Sequence, residues 1–142
     1  MNESTFLDIC HQASTALGLP EPERLGRDGR VDIDGVAMVV FFDELTAPDQ
    51  VRCFVDLGPV PTADGEGHLR QLLNFNLFSV HPASGVCALD PVSGHGLLVF
   101  TLPLPDNTTG AQWSQALQAM VAQALALREA PAEGSTQARV AA

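Results

Sequence analysis

Residues 31–42 read VDIDGVAMVVFF. Val31 and Ile33 alternate with Asp32, Asp34-Gly35 follows, and Val36 to Phe42 is an unbroken apolar run. An Asp-Gly pair between two strand-like runs marks a hairpin, because a type I′ turn needs positive φ at both central residues. The second strand carries apolar side chains on both faces. That predicts a central position in a sheet, with a helix over one side and a further cover over the other.

Working outward, the loop DELTAPD at 43–49 leads to a third strand. There Val51, Cys53, Val55 and Leu57 alternate with Arg52, Phe54 and Asp56, the pattern of a half-buried strand. Gly58, Pro59 and Pro61 end it. Upstream, PEPERLGRDGR at 20–30 reads as a turn-rich connector. Before it, Phe6, Ile9, Cys10, Ala13, Ala16 and Leu17 fall at helical spacing within residues 3–17. Asn2 or Ser4 is placed to cap that helix, and Gly18 with Pro20 to stop it.

Downstream, Leu69, Leu72, Leu73, Asn76, Leu77 and Val80 predict a helix over 67–80, with Phe75 and Phe78 on another face of it. A helix apolar on more than one face must be buried on more than one face. The sheet supplies one cover, and a second subunit is the candidate for the other. Strands are predicted at 86–89 and 97–102, joined by PVSG at 91–94. A last helix follows Asn107–Thr109, with the stripe Trp113, Leu117, Met120, Val121, Ala124 and Leu127. The fold class expected is therefore α+β in the order α-β-β-β-α-β-β-α: an antiparallel twisted sheet with helices packed on it. One domain spans 1–129, and APAEGSTQARVAA at 130–142 is expected to be a disordered tail.

Composition narrows the function classes. The 142 residues carry 17 Asp+Glu against 7 Lys+Arg, a net charge of −10, and every basic residue is Arg. Such a field repels phosphate backbones and anionic lipid, so neither nucleic acid nor membrane insertion is expected. It favours a basic or neutral polypeptide. Only 17% of residues are charged, against about 25% in typical soluble domains, so either the surface is unusually polar-neutral or some apolar surface is reserved for a partner. Cys10, Cys53 and Cys87 are odd in number and form no CxxC, so neither a disulfide framework nor a zinc ribbon is expected. MNESTFLDIC has no basic leader and no long apolar run follows, so a cytoplasmic protein is expected.

No arrangement for catalysis emerges. GxSxG, GxxxxGK[ST] and GxGxxG are absent, and without Lys there is neither a Schiff-base nor a P-loop lysine. His11, His68, His81 and His95 lack the spacing of a metal motif. Asp32 and Asp34 belong to a solvated strand and a turn, and Asp43-Glu44 with Asp49 lacks the spacing of a calcium loop. Ser93-Gly94-His95-Gly96 is explained by turn chemistry, and Asn107-Thr108-Thr109 by helix capping. The chain is expected to be no enzyme, with no catalytic residue, metal or cofactor.

The run from Cys53 to Leu104 carries a strand ending in LGPVP, a helix with Leu72-Leu73 and Asn76, and then GVCALDPVSGHGLLVFTLPL. It resembles the Tir-chaperone (CesT) family, the class I chaperones of bacterial type III secretion. That family shows a Leu-Leu-x-x-Asn helix, a hairpin with an L-D-x-x-x-G turn and a final Pro-Leu before the last helix. The resemblance covers residues 3–129. It implies a homodimer without catalytic activity, acting in the bacterial cytoplasm in the service of virulence. Such a dimer binds an extended segment near the N-terminus of a secreted effector, keeps it soluble and secretion-competent, and releases it at the export machinery.

Combined with the apolar pattern, this nominates two surfaces. Phe6, Ile9, Val31, Ile33, Met38, Val40, Phe42 and Phe54 are the effector-binding candidates, although most must also serve the core. Leu73, Phe75, Leu77, Phe78 and Leu89 are the dimer-interface candidates. The competing readings are a dimeric α+β regulatory adaptor for a folded partner and a small enzyme of unknown type.

Overall fold

Asp34 and Gly35 both take positive φ, 51° and 78°, and so form the tight turn that joins β1 (Arg30–Ile33) to β2 (Val36–Asp43). A computed structural model describes residues 1–79, 81 and 83–129 of the chain. The remaining strands are β3 (Ala47–Pro59), β4 (Val86–Leu89) and β5 (His95–Pro103), and the helices are α1 (Glu3–Ala16), α2 (Arg24–Asp28), α3 (Gly65–Phe78) and α4 (Gly110–Arg128). The strands form one antiparallel sheet in the order β1-β2-β3-β5-β4. The α+β class and the expected strand sequence hold. Val80 and the segment 130–142 lie outside the described residues.

Two local differences have physical causes. The connector at 20–30 contains a short helix, α2, because Leu25 is drawn into the core and Gly29 closes the turn in the left-handed region at φ 65°. Gly29 is doubly constrained: a Cβ there would stand 2.7 Å from the Val40 carbonyl oxygen. Gly29→Ala is therefore expected to destabilise by about 1–3 kcal/mol, measured as a lower urea midpoint at unchanged slope. The loop expected at 43–49 is only a turn at 44–46. There the Asp43 carboxylate accepts from the Leu45 N–H (3.0 Å) and the Thr46 hydroxyl (2.7 Å), letting β3 begin at Ala47.

One face of the sheet makes the core. Val31, Ile33, Val36, Met38, Val40, Val51, Cys53, Val55, Leu98 and Phe100 are buried against α1 and α4. Phe6 stacks on Phe42 at 4.5 Å between ring centroids and tilts against Trp113 at 6.3 Å. The two helices of this core layer, α1 and α4, each start with a side-chain cap. Asn2 Oδ1 accepts from the Thr5 N–H at 2.8 Å. Thr109 and Gln112 satisfy each other's backbone N–H groups in a capping box ahead of α4.

The second cover expected over β2 is absent among the described residues. Its inward side chains are buried, while Ala37, Val39 and Phe41 on the opposite face are exposed.

Candidate binding surfaces

Strand alternation and register settle which side chains share the uncovered face. Arg30 lies opposite Val39, Val39 opposite Phe54, Phe54 opposite Val99, and Val99 opposite Val86. A row therefore crosses all five strands, with a cation at one end and four apolar side chains after it. At about 4.8 Å between strands, the apolar part spans roughly 14 Å. Phe41, opposite Arg52, belongs to the next row on the same face. Val39, Phe41 and Val86 are exposed, and Phe54, Leu97 and Val99 are half-buried. Between β1, β2, β3 and the β4–β5 turn this face holds a hollow of about 530 Å³, with Arg24, Arg30, Val39, Phe54 and Leu97 in its lining.

A second apolar surface lies on α3 and the sheet edge. Leu69, Leu73 and Leu77 repeat at four-residue spacing and form one stripe along α3. Leu73 is 66% exposed, Leu77 69% and Phe78 59%. Leu89 on the edge strand β4 is half exposed, whereas Phe75 packs partly against the core. Leu72, about 100° round the helix from Leu73, is buried. The helix thus buries one face and leaves the other open.

Asn76 joins the two parts of this surface. Its Nδ2 donates to the Cys87 carbonyl at 3.0 Å, and its Oδ1 accepts from the Cys87 N–H at 2.6 Å. The amide thereby extends the hydrogen-bonding of β4 sideways and fixes α3 against it. Asn76→Ala is expected to cost about 1–3 kcal/mol, since it leaves both backbone groups of Cys87 without a protein partner. Faster amide exchange confined to residues 86–89 would report the loss.

The effector candidates divide sharply by burial. Phe6, Ile9, Val31, Ile33, Met38 and Val40 are core residues, each below a tenth exposed. Phe42, stacked on Phe6 at the edge of the core, and Phe54, on the outer face, are half-buried. Val39, Phe41, Val86, Leu97 and Val99 escaped the sequence reading. Their signal was the period-two alternation along β2 and β5, readable once strand register is known.

The polar groups are structural. Asp56 accepts from both sides of the sheet's end: His95 Nδ1 lies 2.9 Å from its carboxylate, and Arg128 reaches both its carbonyl and its carboxylate. Asp90 accepts from the Val92 N–H and the Ser93 hydroxyl, bonds that hold its carboxyl below the usual range. Burial pushes the thiols of Cys10, Cys53 and Cys87 up to about 12. Alkylation at pH 8 is therefore expected to label none of the three in the native chain and all three in denaturant, as mass spectrometry would show. Among the described residues no group of three or more His, Cys, Asp or Glu side chains is placed to hold a metal ion, and no helix is long and apolar enough to cross a membrane.

The model of the Tir chaperone protein (CesT) family matches residues 11–128. No curated protein sequence matches the chain. Among solved structures, a chain of the ExsC–ExsE complex superposes with a TM-score of 0.63 at 19% identity, covering 89% of this chain and 90% of that one. A chain of the ExoT–SpcS complex from Pseudomonas aeruginosa gives 0.54 at 26% identity, covering 88% and 97%. A chain of the HopA1–SchA chaperone–effector complex gives 0.62 at 18% identity, covering 90% and 96%.

Proposed function

Because the chain belongs to the Tir chaperone protein (CesT) family, we propose that it is a type III secretion chaperone. It binds the chaperone-binding segment near the N-terminus of a secreted effector and keeps that segment soluble, partly unfolded and ready for export. One observation carries the reading: the fold leaves two separate apolar surfaces open, one on α3 with β4 and one on the outer sheet face. One surface suits pairing of two copies, and the other is then still available to a third, unstructured chain. The complexes to which the fold is similar include a chaperone with its effector.

The dimer forms through Leu73, Leu77, Phe78 and Leu89, with Phe75 behind them. A stable interface of this kind buries about 1,200–2,000 Å². The effector segment uses accessible apolar surface, of which Phe42 and Phe54 are the sequence-nominated members. Backbone pairing at a sheet edge adds affinity. Such binding needs no catalytic group, and the protein acts as a non-enzymatic holder in the bacterial cytoplasm.

The test is co-expression with proteins encoded beside its gene. A secreted neighbour should move from the insoluble to the soluble fraction and co-purify through a segment of its N-terminal region. If no neighbour becomes soluble and the purified chain is a monomer, the chaperone reading is wrong.

A further inference from the structure

The arginines are distributed unevenly. Arg27 pairs with Asp28, Arg70 with Glu66 and Arg128 with Asp56. Arg24, Arg30 and Arg52 make no direct ion pair among the described residues, and all three border the outer sheet face. Arg30 stands opposite Val39 at the end of the apolar row. Arg52 stands opposite Phe41, with its guanidinium carbon 5.3 Å from the centre of the Phe54 ring.

The acids of this face do not offset them evenly. Asp32, Asp56 and Asp90 also line the hollow. Asp56 is engaged by His95 and Arg128, and Asp90 by its own turn. Asp28, held by Arg27, feels Arg24 and Arg30 only at a distance. Of the three acids lining the hollow, only Asp32 has no side-chain hydrogen bond or ion pair to a described residue. Arg24 and Arg30 thus line the hollow with one carboxylate there that no other described residue engages, and Arg52 adds a third guanidinium beside Phe54 on the same face, in a chain whose net charge is −10.

We infer that the outer sheet face binds a segment in which apolar side chains are flanked by aspartate or glutamate. This rests on the chaperone reading and specifies the chemistry of the segment it holds. Val39, Phe54, Val99 and Val86 take the apolar side chains, and Arg30, Arg52 and Arg24 take the carboxylates. A guanidinium meets a carboxylate with two parallel charge-assisted hydrogen bonds. Those bonds strengthen as the apolar neighbours exclude water. A basic segment would instead bring like charges together. The net charge of the whole chain favours basic partners, but the charges at this surface select the opposite sign.

The probe is a synthetic peptide with a short leucine–valine run flanked on both sides by glutamates, compared with its lysine-flanked counterpart. Fluorescence anisotropy on the full chain should show the acidic peptide binding at least about tenfold tighter. The double variant Arg30→Glu/Arg52→Glu should reverse the preference. Arg30→Gln/Arg52→Gln, a milder change on an exposed surface, should abolish it while leaving the thermal melt unchanged. Equal affinity for the two peptides, a preference for lysine, or an unchanged preference in both double variants overturns the inference. So does loss of dimer mass in either variant, since that would show a second copy on this face. The co-expression assay separates the two levels. If a secreted neighbour is still solubilised by the charge-reversed variant as well as by the parent, the chaperone reading stands and the charge assignment fails. If the parent solubilises none, the chaperone reading itself fails.

Discussion

Leu73→Asp is expected to yield a folded 15.0 kDa monomer, and the parent chain is expected to scatter light as a species of twice that mass. Leu73 lies in the middle of the open stripe on α3, between Leu69 and Leu77, and is 66% exposed in the single chain. An aspartate there stays hydrated in the monomer and costs the fold little. In a two-fold interface the same carboxylate enters an apolar contact twice, once from each copy, with no cation among the nominated interface residues to pair it. Removing an ionised group from water without a partner costs several kcal/mol. A penalty of about 4 kcal/mol in total raises the dissociation constant roughly a thousandfold. The circular dichroism spectrum should be unchanged. An intact dimer with a native spectrum would place the interface elsewhere, and an unfolded chain would show that Leu73 supports the monomer after all.

Trp113→Ala has the largest expected effect on stability. The indole is 2% exposed, sits in the first turns of α4 and meets the Phe6 ring across the α1–α4 contact. Truncating a large buried aromatic typically costs about 3–5 kcal/mol, the lost transfer energy plus the cavity left behind. Set against a typical total of about 5–15 kcal/mol, that is a large part of the stability. A fall of roughly 10 °C in the melting temperature is expected for a chain of this size. Followed by far-UV circular dichroism, a change below about 2 °C would mean the site collapses to fill the space.

The hairpin at Asp34-Gly35 was legible because its cause is local. Positive φ at two adjacent positions is a demand that few residue pairs meet, and Asp-Gly meets it. The inward side of β3 was legible for a similar reason, since Val51, Cys53, Val55 and Leu57 alternate without interruption. α2 was not: five residues are too few to show a helical period, and Leu25 is held there by tertiary burial. The binding surface was harder. The apolar run on β2 does not itself show which parity points inward, and Val31, Ile33, Met38 and Val40 are the inward set. The opposite parity becomes interpretable only when Val39 is matched to Phe54 and Phe41 to Arg52. That match depends on a turn at 44–46 and on the register shift between Phe41 and Asp43, and a slip of one residue would exchange the two faces. Asn76 stood out in the sequence only as part of a family pattern. Its physical role, holding both backbone groups of Cys87, depends on a strand ten residues further on.

The packing of α1 against α4 has a consequence for how the molecule is made. The two helices lie at opposite ends of the described chain, and β3 finds its partner β5 only after α3 and β4 have been synthesised. The β1–β2–β3 meander can close as soon as it leaves the ribosome, because its contacts are local. Phe6 can meet Phe42 early and α1 can meet α2, but the α4 side of their cover, with Trp113, follows only after β5. A nascent chain therefore carries α1 with only part of its apolar face covered until α4 has been made. Slow decoding before codon 110 should lengthen that exposure and lower the yield of folded protein, with no change to a single amino acid.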